Sequence, residues 1–214
     1  MSDSFGIPGI KQLTRPKVVL VEGQDDSFFF GHLLENLGAN KESIGIISIT
    51  GHSQLSENLV SLKKSSLFVQ GKVTRIAVAL DADTDSASAL DRIHTAYRAC
   101  DFPTPAHSHF TANSSGIEFG AYVIPSHPGT DDLERLCLDT IPNNPLLGSA
   151  RTFLTKMEND FGVPTAKRYK RLAQIFLALQ NIETRGVGRS FIDVFDINHE
   201  SLNGIRDFVG RLAS

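Results

Sequence analysis

Two short acidic motifs follow strand-like segments and carry the residue types that bind a divalent cation. In VEGQDD, Glu22 closes a β-branched run, and Asp26 follows it by four residues. In LDAD, Asp81 and Asp83 come directly after another apolar run, and residues two apart in extended chain point to the same side. Carboxylate oxygens without Cys or clustered His favour Mg²⁺ or Mn²⁺ over zinc. The motifs therefore predict a magnesium or manganese site.

Each motif also has a simpler structural interpretation when it is taken alone. Asp25 and Asp26 in the first turn of a helix would be stabilised by the helix dipole, and an acidic turn commonly hydrogen-bonds its own backbone. Glu22 is harder to explain in this way, because a carboxylate at the mouth of a buried strand costs free energy unless it is paired or metal-bound. Asp85 is predicted to assist the second motif from its loop. Several carboxylates in one crevice repel one another, so the combination favours a bound cation.

Alternating strand and helix patterns over the first part of the chain predict a parallel sheet with helices on its faces. Residues 101–115 are rich in Pro, His, Thr, Asn and Ser and are predicted to form a loop. Right-handed crossovers would place the strand ends on one edge, where open sheets of this kind bind ligands. The predicted strands are 16–21, 44–49, 75–80 and 117–124, and the predicted helices are 24–37, 55–67 and 87–100. The expected fold is a Rossmann-like α/β sheet of about four strands flanked by helices.

The pattern becomes purely helical towards the C-terminus. Apolar residues at helical spacing predict three helices. The first covers residues 153–161, the second begins after a cap at Thr165, and the third lies near residues 202–212. We therefore expect an α/β core over residues 1–145 and a helical extension over residues 146–214 that packs on it.

A basic segment, AKRYKR, lies at the start of one of these predicted helices. Lys167, Lys170 and Arg171 have the spacing of one helix face, and such a face could hold phosphates or stabilise a phosphoryl transition state. We take Lys167 and Lys170 as candidate catalytic residues. The alternative is a solvated charged face with no role in chemistry.

The composition limits the possible classes of protein. The chain has 214 residues, of which 41% are hydrophobic and 21% charged, with a net charge of −3. These values are typical of a globular protein and argue against a strongly basic protein that coats DNA. No apolar run reaches the roughly 18–20 residues that span a bilayer, and the first residues lack a signal-peptide pattern. We expect a cytoplasmic protein without a membrane partner.

The EGxxD motif at the end of a first strand, followed by DxD after a later strand, resembles the signature of the Toprim superfamily. The matching residues are Glu22, Gly23, Asp26, Asp81 and Asp83. The whole chain looks closest to a compact bacterial branch of unknown function, related to the Toprim domains of OLD-family nucleases and primases. Members of that branch also carry a helical tail and a late PxxxGxxDLExL-like segment, which is PSHPGTDDLERL here and contains Pro125, Gly129 and Glu134.

The resemblance implies a Toprim-like fold and a role for each matching residue. Glu22 would act as general acid/base, Asp81 and Asp83 would hold Mg²⁺, and Asp26 would help to hold the ions. Glu134 would be a further ligand, although an exposed helix charge is an equal alternative. The chain lacks the glycine that often follows DxD in this superfamily. It also lacks a GxxxxGK[ST] segment, so an ATPase would have to be a separate partner.

Three hypotheses for the function follow from these patterns. The first is a Mg²⁺- or Mn²⁺-dependent phosphoryl-transfer enzyme that acts on DNA or RNA, in particular a nuclease. The second is a non-catalytic Toprim-like module that binds metal and a nucleic acid or a partner protein. The third is a phosphatase or nucleotide-sugar transferase that uses DxD.

Overall fold

A five-stranded sheet runs through the computed structural model, which describes residues 5–49, 54–82, 85–124, 132–164, 166–180, 182 and 186–214. The strands lie in the order β2-β1-β3-β5-β4. The strands β2, β1, β3 and β5 are parallel to one another, and β4 pairs antiparallel with β5 at one edge. An α/β fold with a mostly parallel sheet is therefore confirmed. The strands are β1 (Lys17–Val21), β2 (Ile44–Ser48), β3 (Arg75–Asp81), β4 (Phe110–Ala112) and β5 (Glu118–Ile124).

The edge strand β4 corrects the prediction that residues 101–115 form only a loop. The ring of Phe110 lies over Gly120 of β5, where a Cβ atom would overlap it, and stacks on Phe208 with 5.0 Å between ring centroids. Thr111 and Ala112 are exposed. A three-residue strand held by one aromatic side chain has too little alternation to be recognised from sequence.

Helices cover both faces of the sheet. Within the described residues, every helix is too short or too polar to span a bilayer. α2, α3 and α4 pack on one face, whereas α1 and α5 to α9 share an apolar core with the other. The helices are α1 (Gln24–Asn36), α2 (Leu55–Lys63), α3 (Ser66–Val69), α4 (Ser86–Arg98), α5 (Leu133–Asp139), α6 (Pro145–Phe161), α7 (Arg168–Leu179), α8 (Val187–Val194) and α9 (Asn203–Ala213).

Side chains alternate between the two faces of the sheet along each strand, and this alternation determines the face on which the last residue of a strand lies. Val19 and Val21 of β1 and Ala77 and Ala79 of β3 belong to the core shared with α1. Their neighbours along each strand belong to the opposite core. Because side chains two apart share a face, Asp81 at the end of β3 lies on the α1 side of the sheet.

The C-terminal part is helical, as predicted, and includes α8, which the sequence did not predict. Phe191 of α8 packs edge-to-face on Phe29 of α1 with 4.9 Å between ring centroids. The division into domains at residue 145 stays a prediction. Thr165, the predicted helix cap, lies outside the described residues, and α7 begins at Arg168 after Lys167 in a left-handed conformation.

Candidate functional site: an acidic cluster at the carboxyl edge of the sheet

Glu22 and Asp81 stand at the ends of adjacent parallel strands in the middle of the sheet. The strand register pairs Val21 with Ala79, so Glu22 is one residue beyond that pair and Asp81 is two residues beyond it. The two strand ends are thus neighbours, and the charge of Glu22 acts on Asp81 and raises its pKa. This edge, beyond the carboxyl ends of parallel strands, is the usual ligand site of open α/β sheets.

Asp26 joins this edge from the first turn of α1. Its Oδ2 atom accepts a hydrogen bond of 2.7 Å from the backbone N–H of Gly23, so Asp26 does cap its helix. The residue is only 7% exposed. Burial raises its pKa to about 7 against the opposing effect of the Gly23 hydrogen bond. The negative charges of Glu22, Asp25 and Glu134 also contribute to this value of about 7.

Asp81, at the end of β3, is a half-buried residue of this edge. Its Oδ1 atom is buried and has no hydrogen-bond partner among the residues that the structure describes. Burial raises its pKa well above the usual range. The negative charges that add to this effect belong to Asp26, Glu22, Glu134 and Asp132, in that order.

Glu134 reaches the same group from the first turn of α5. Only 14% of its side chain is exposed, so it is not the exposed helix charge considered as an alternative. Burial and the charge of Asp132 raise its pKa to about 7, while Lys170 lowers it. Asp132 itself caps α5 by accepting the N–H of Arg135 at 3.4 Å. We call the residues Glu22, Asp26, Asp81, Asp132 and Glu134 the acidic cluster.

The acidic cluster suits a hard divalent cation in its chemistry. Buried carboxylates that raise one another's pKa are neutralised either by protons or by a cation, and oxygen ligands are those of Mg²⁺ and Mn²⁺. The described residues do not close a coordination shell, since no three His, Cys, Asp or Glu side chains among them are arranged to hold an ion. Asp83 and Asp131, which adjoin the described residues Ala82 and Asp132 in the chain, lie outside the described ranges. The cluster therefore fits an ion by charge and ligand type.

A family model described as "Protein of unknown function (DUF3226)" matches residues 16–214. The chain belongs to the DUF3226 family. The match includes all five strands and the whole acidic cluster. No curated protein and no solved structure matches the chain.

Asp85 of this DUF3226 chain serves as the cap of α4. Its carboxylate accepts hydrogen bonds from the backbone N–H groups of Ala87 and Ser88 and from the Ser88 hydroxyl. These hydrogen bonds, first of all that from the Ser88 hydroxyl, lower its pKa. The side chain is exposed. The observed contacts are those of a helix cap, and the predicted role in metal binding stays a prediction.

The three basic residues predicted on one helix face have different surroundings in the DUF3226 chain. The Nζ atom of Lys170 lies 3.7 Å from Oε1 of Glu134, at the border of the acidic cluster. Arg171 donates to the backbone carbonyls of Pro164 and Ala166, which fixes the connection before α7. Lys167 precedes the helix and is exposed, so it does not continue the face of Lys170. A role in catalysis stays a prediction for both lysines.

Asp25 has a function in the fold that the sequence did not reveal. Its Oδ1 atom accepts the backbone N–H of Arg189 at 3.3 Å, in the first turn of α8. Gly186 and Gly188 allow this approach, because a Cβ atom at either position would overlap Asp25. The DUF3226 chain therefore joins α1 to α8 directly beside the acidic cluster. The two glycines in GVG are the signal that could have indicated a close approach of another segment.

Proposed function

We propose that this protein is a Mg²⁺- or Mn²⁺-dependent phosphoryl-transfer enzyme that acts on nucleic acid as a nuclease. The observation that carries the proposal is the Asp81 carboxylate, whose Oδ1 atom is buried without a hydrogen-bond partner among the described residues. The charges of four other acidic residues at the carboxyl edge of the sheet act on it. Such a group is costly without a cation. The substrate class comes from the resemblance of the EGxxD and DxD motifs to those of Toprim proteins.

Each residue of the proposed site has a role that suits its position. Asp26 and Asp81, with Asp83, would hold the ion, and Glu134 would be a further ligand. A bound ion supplies positive charge and Lewis acidity to a phosphoryl oxygen. Glu22, at the end of β1, would move a proton to or from a reacting oxygen. Lys170, beside Glu134, would place a positive charge near the transferred group.

The wild-type protein is expected to cleave single- or double-stranded DNA or RNA oligonucleotides with Mn²⁺ or Mg²⁺ and to be inactive in EDTA. Labelled oligonucleotides separated on denaturing gels give the measurement. A chromogenic phosphate ester and a nucleotide sugar belong in the same assay, because phosphatases and sugar transferases also use DxD. Turnover of either compound without cleavage of any oligonucleotide would contradict the proposed substrate class.

A non-catalytic module is the second candidate, and one specific observation favours it. Among the described residues, the acidic side chains do not form a group of three ready to hold an ion. A module of this kind would keep the metal site but bind a nucleic acid or a partner protein without turnover, so it would not need the closely held ion of a catalytic centre. Saturable association with an oligonucleotide, together with no cleavage under any metal condition, would favour the module over the enzyme.

A further inference from the structure

A cavity of about 680 Å³ lies between α1, α7 and α8, on the border of the acidic cluster. Asp25 and Glu134 line it. Its apolar wall is formed by the buried residues Ala173, Leu177 and Val187. Cavities of roughly 300–1,000 Å³ with apolar walls and a few polar groups are typical of small-molecule sites. A ligand in this cavity would therefore lie next to the proposed reaction centre.

A contact between an arginine and an aromatic ring forms part of the lining. The guanidinium carbon of Arg189 lies 4.6 Å from the ring centroid of Phe28, and both side chains line the cavity. Unstacked nucleobases bind proteins by stacking on aromatic rings and on Arg guanidinium planes. The exposed guanidinium group of Arg189 thus offers a base a planar group on which to stack.

The charges and amides of the lining also suit a nucleotide unit. Lys170 and Arg189 offset the two carboxylates that line the cavity, so a ligand there meets less repulsion than it would in the acidic cluster itself. Gln24 and Gln174 both line the cavity. Each carboxamide can donate and accept hydrogen bonds, as the polar edge of a nucleobase does.

We infer that the cavity between α1, α7 and α8 binds one unstacked nucleobase of the nucleic-acid substrate, with the attached phosphate towards the acidic cluster. The inference rests on the proposed function for the identity of the substrate. A base within a duplex has both faces stacked and its Watson–Crick edge paired, so the cavity favours a single-stranded end or an extruded base. Binding of the base alone does not require a metal ion.

Adenosine is the probe that isolates this interaction, because it lacks a phosphate and can be tested in EDTA. Saturation-transfer NMR titrations of the wild-type chain are expected to show saturable binding. Gln174→Trp places a large side chain at an exposed position of the cavity lining, and Arg189→Ala removes the guanidinium group on which the base would stack. Both variants are expected to weaken adenosine binding at least tenfold.

Leu179→Trp is the matched control, because Leu179 is an exposed residue of α7 that does not line the cavity. It is expected to bind adenosine as the wild type does. Absence of saturable binding to the wild type, or unchanged affinity in both cavity variants, would overturn the inference. If adenosine fails to bind while Mn²⁺-dependent cleavage persists, only the inference on the cavity is lost. If adenosine binds and no cleavage occurs, only the proposed enzymatic function is lost.

Discussion

Replacing Asp81 by Asn is expected to stabilise the metal-free protein at pH 8 and to reduce Mn²⁺-dependent cleavage at least 100-fold. At pH 8 the wild-type chain must either ionise Asp81 in a buried site or hold its proton against the solution, and both cost free energy. Asn has nearly the same shape without the charge. It also relieves the repulsion that Asp81 exerts on its neighbours in the acidic cluster.

The sign of the pH dependence follows from the raised pKa values. Burial raises the pKa of Asp81 well above the usual range and that of Asp26 to about 7, whereas carboxyl groups of an unfolded chain titrate near 4. Between about pH 4 and pH 7 the folded protein keeps protons that the unfolded chain has lost, so the free energy of unfolding falls as the pH rises. Each such group changes it by up to about 1.4 kcal/mol per pH unit. The wild-type protein in EDTA should thus be less stable at pH 8 than at pH 5.5.

Urea denaturation in EDTA at pH 5.5 and pH 8 measures this effect. Asp81→Asn is expected to raise the free energy of unfolding at both pH values, and by up to about 3 kcal/mol more at pH 8 than at pH 5.5. Asp91→Asn is the matched control, since Asp91 is exposed on α4 and should have a small effect at both pH values. Destabilisation by Asp81→Asn at both pH values would mean that this carboxylate makes a structural contact instead.

Gly188→Ala is expected to lower the free energy of unfolding by about 3 kcal/mol, the upper part of the range for overpacking. A Cβ atom at position 188 would overlap the backbone oxygen of Asp25. The overlap involves main chain on both sides, so α1 and α8 would have to move apart. That movement would also disturb the hydrogen bond between Asp25 and Arg189 and the contact of Phe29 with Phe191.

Gly148→Ala provides the control for the helix propensity of alanine. Gly148 lies within α6, and a Cβ atom there would meet nothing within 4 Å. This substitution should be neutral or stabilising by up to about 1 kcal/mol. Equal stability of the Gly148→Ala and Gly188→Ala proteins in urea would contradict the close packing of α8 on Asp25.

The parallel sheet could be predicted because its strands are short apolar runs followed by amphipathic helices. That pattern also determined which strand ends bear Glu22 and Asp81, since parallel strands share a carboxyl edge. The burial of Glu134 could not be predicted, because local sequence shows an acid in the first turn of a helix and not what packs over it. The effect of the Asp132 charge on the pKa of Asp81 could not be predicted either, because it depends on the tertiary fold that brings α5 to the end of β3.

The features that sequence patterns missed depend on contacts between distant segments. Helix α8 follows Gly186 and contains Gly188, and glycines in a sequence usually indicate turns. Here they allow Asp25, more than 160 residues away in the chain, to approach the helix. Strand β4 likewise depends on Phe110 packing over Gly120 and against Phe208. Close approaches of this kind between distant segments leave no periodic pattern in the local sequence.

Calorimetric titration with Mn²⁺ at pH 8 tests most directly whether the acidic cluster is a cation site. The wild-type protein should bind Mn²⁺ saturably, Asp26→Asn and Asp81→Asn should weaken binding at least tenfold, and Asp91→Asn should not alter it. The absence of saturable binding to the wild type, or equal affinity in the two cluster variants and the wild type, would contradict a metal site at this edge of the sheet.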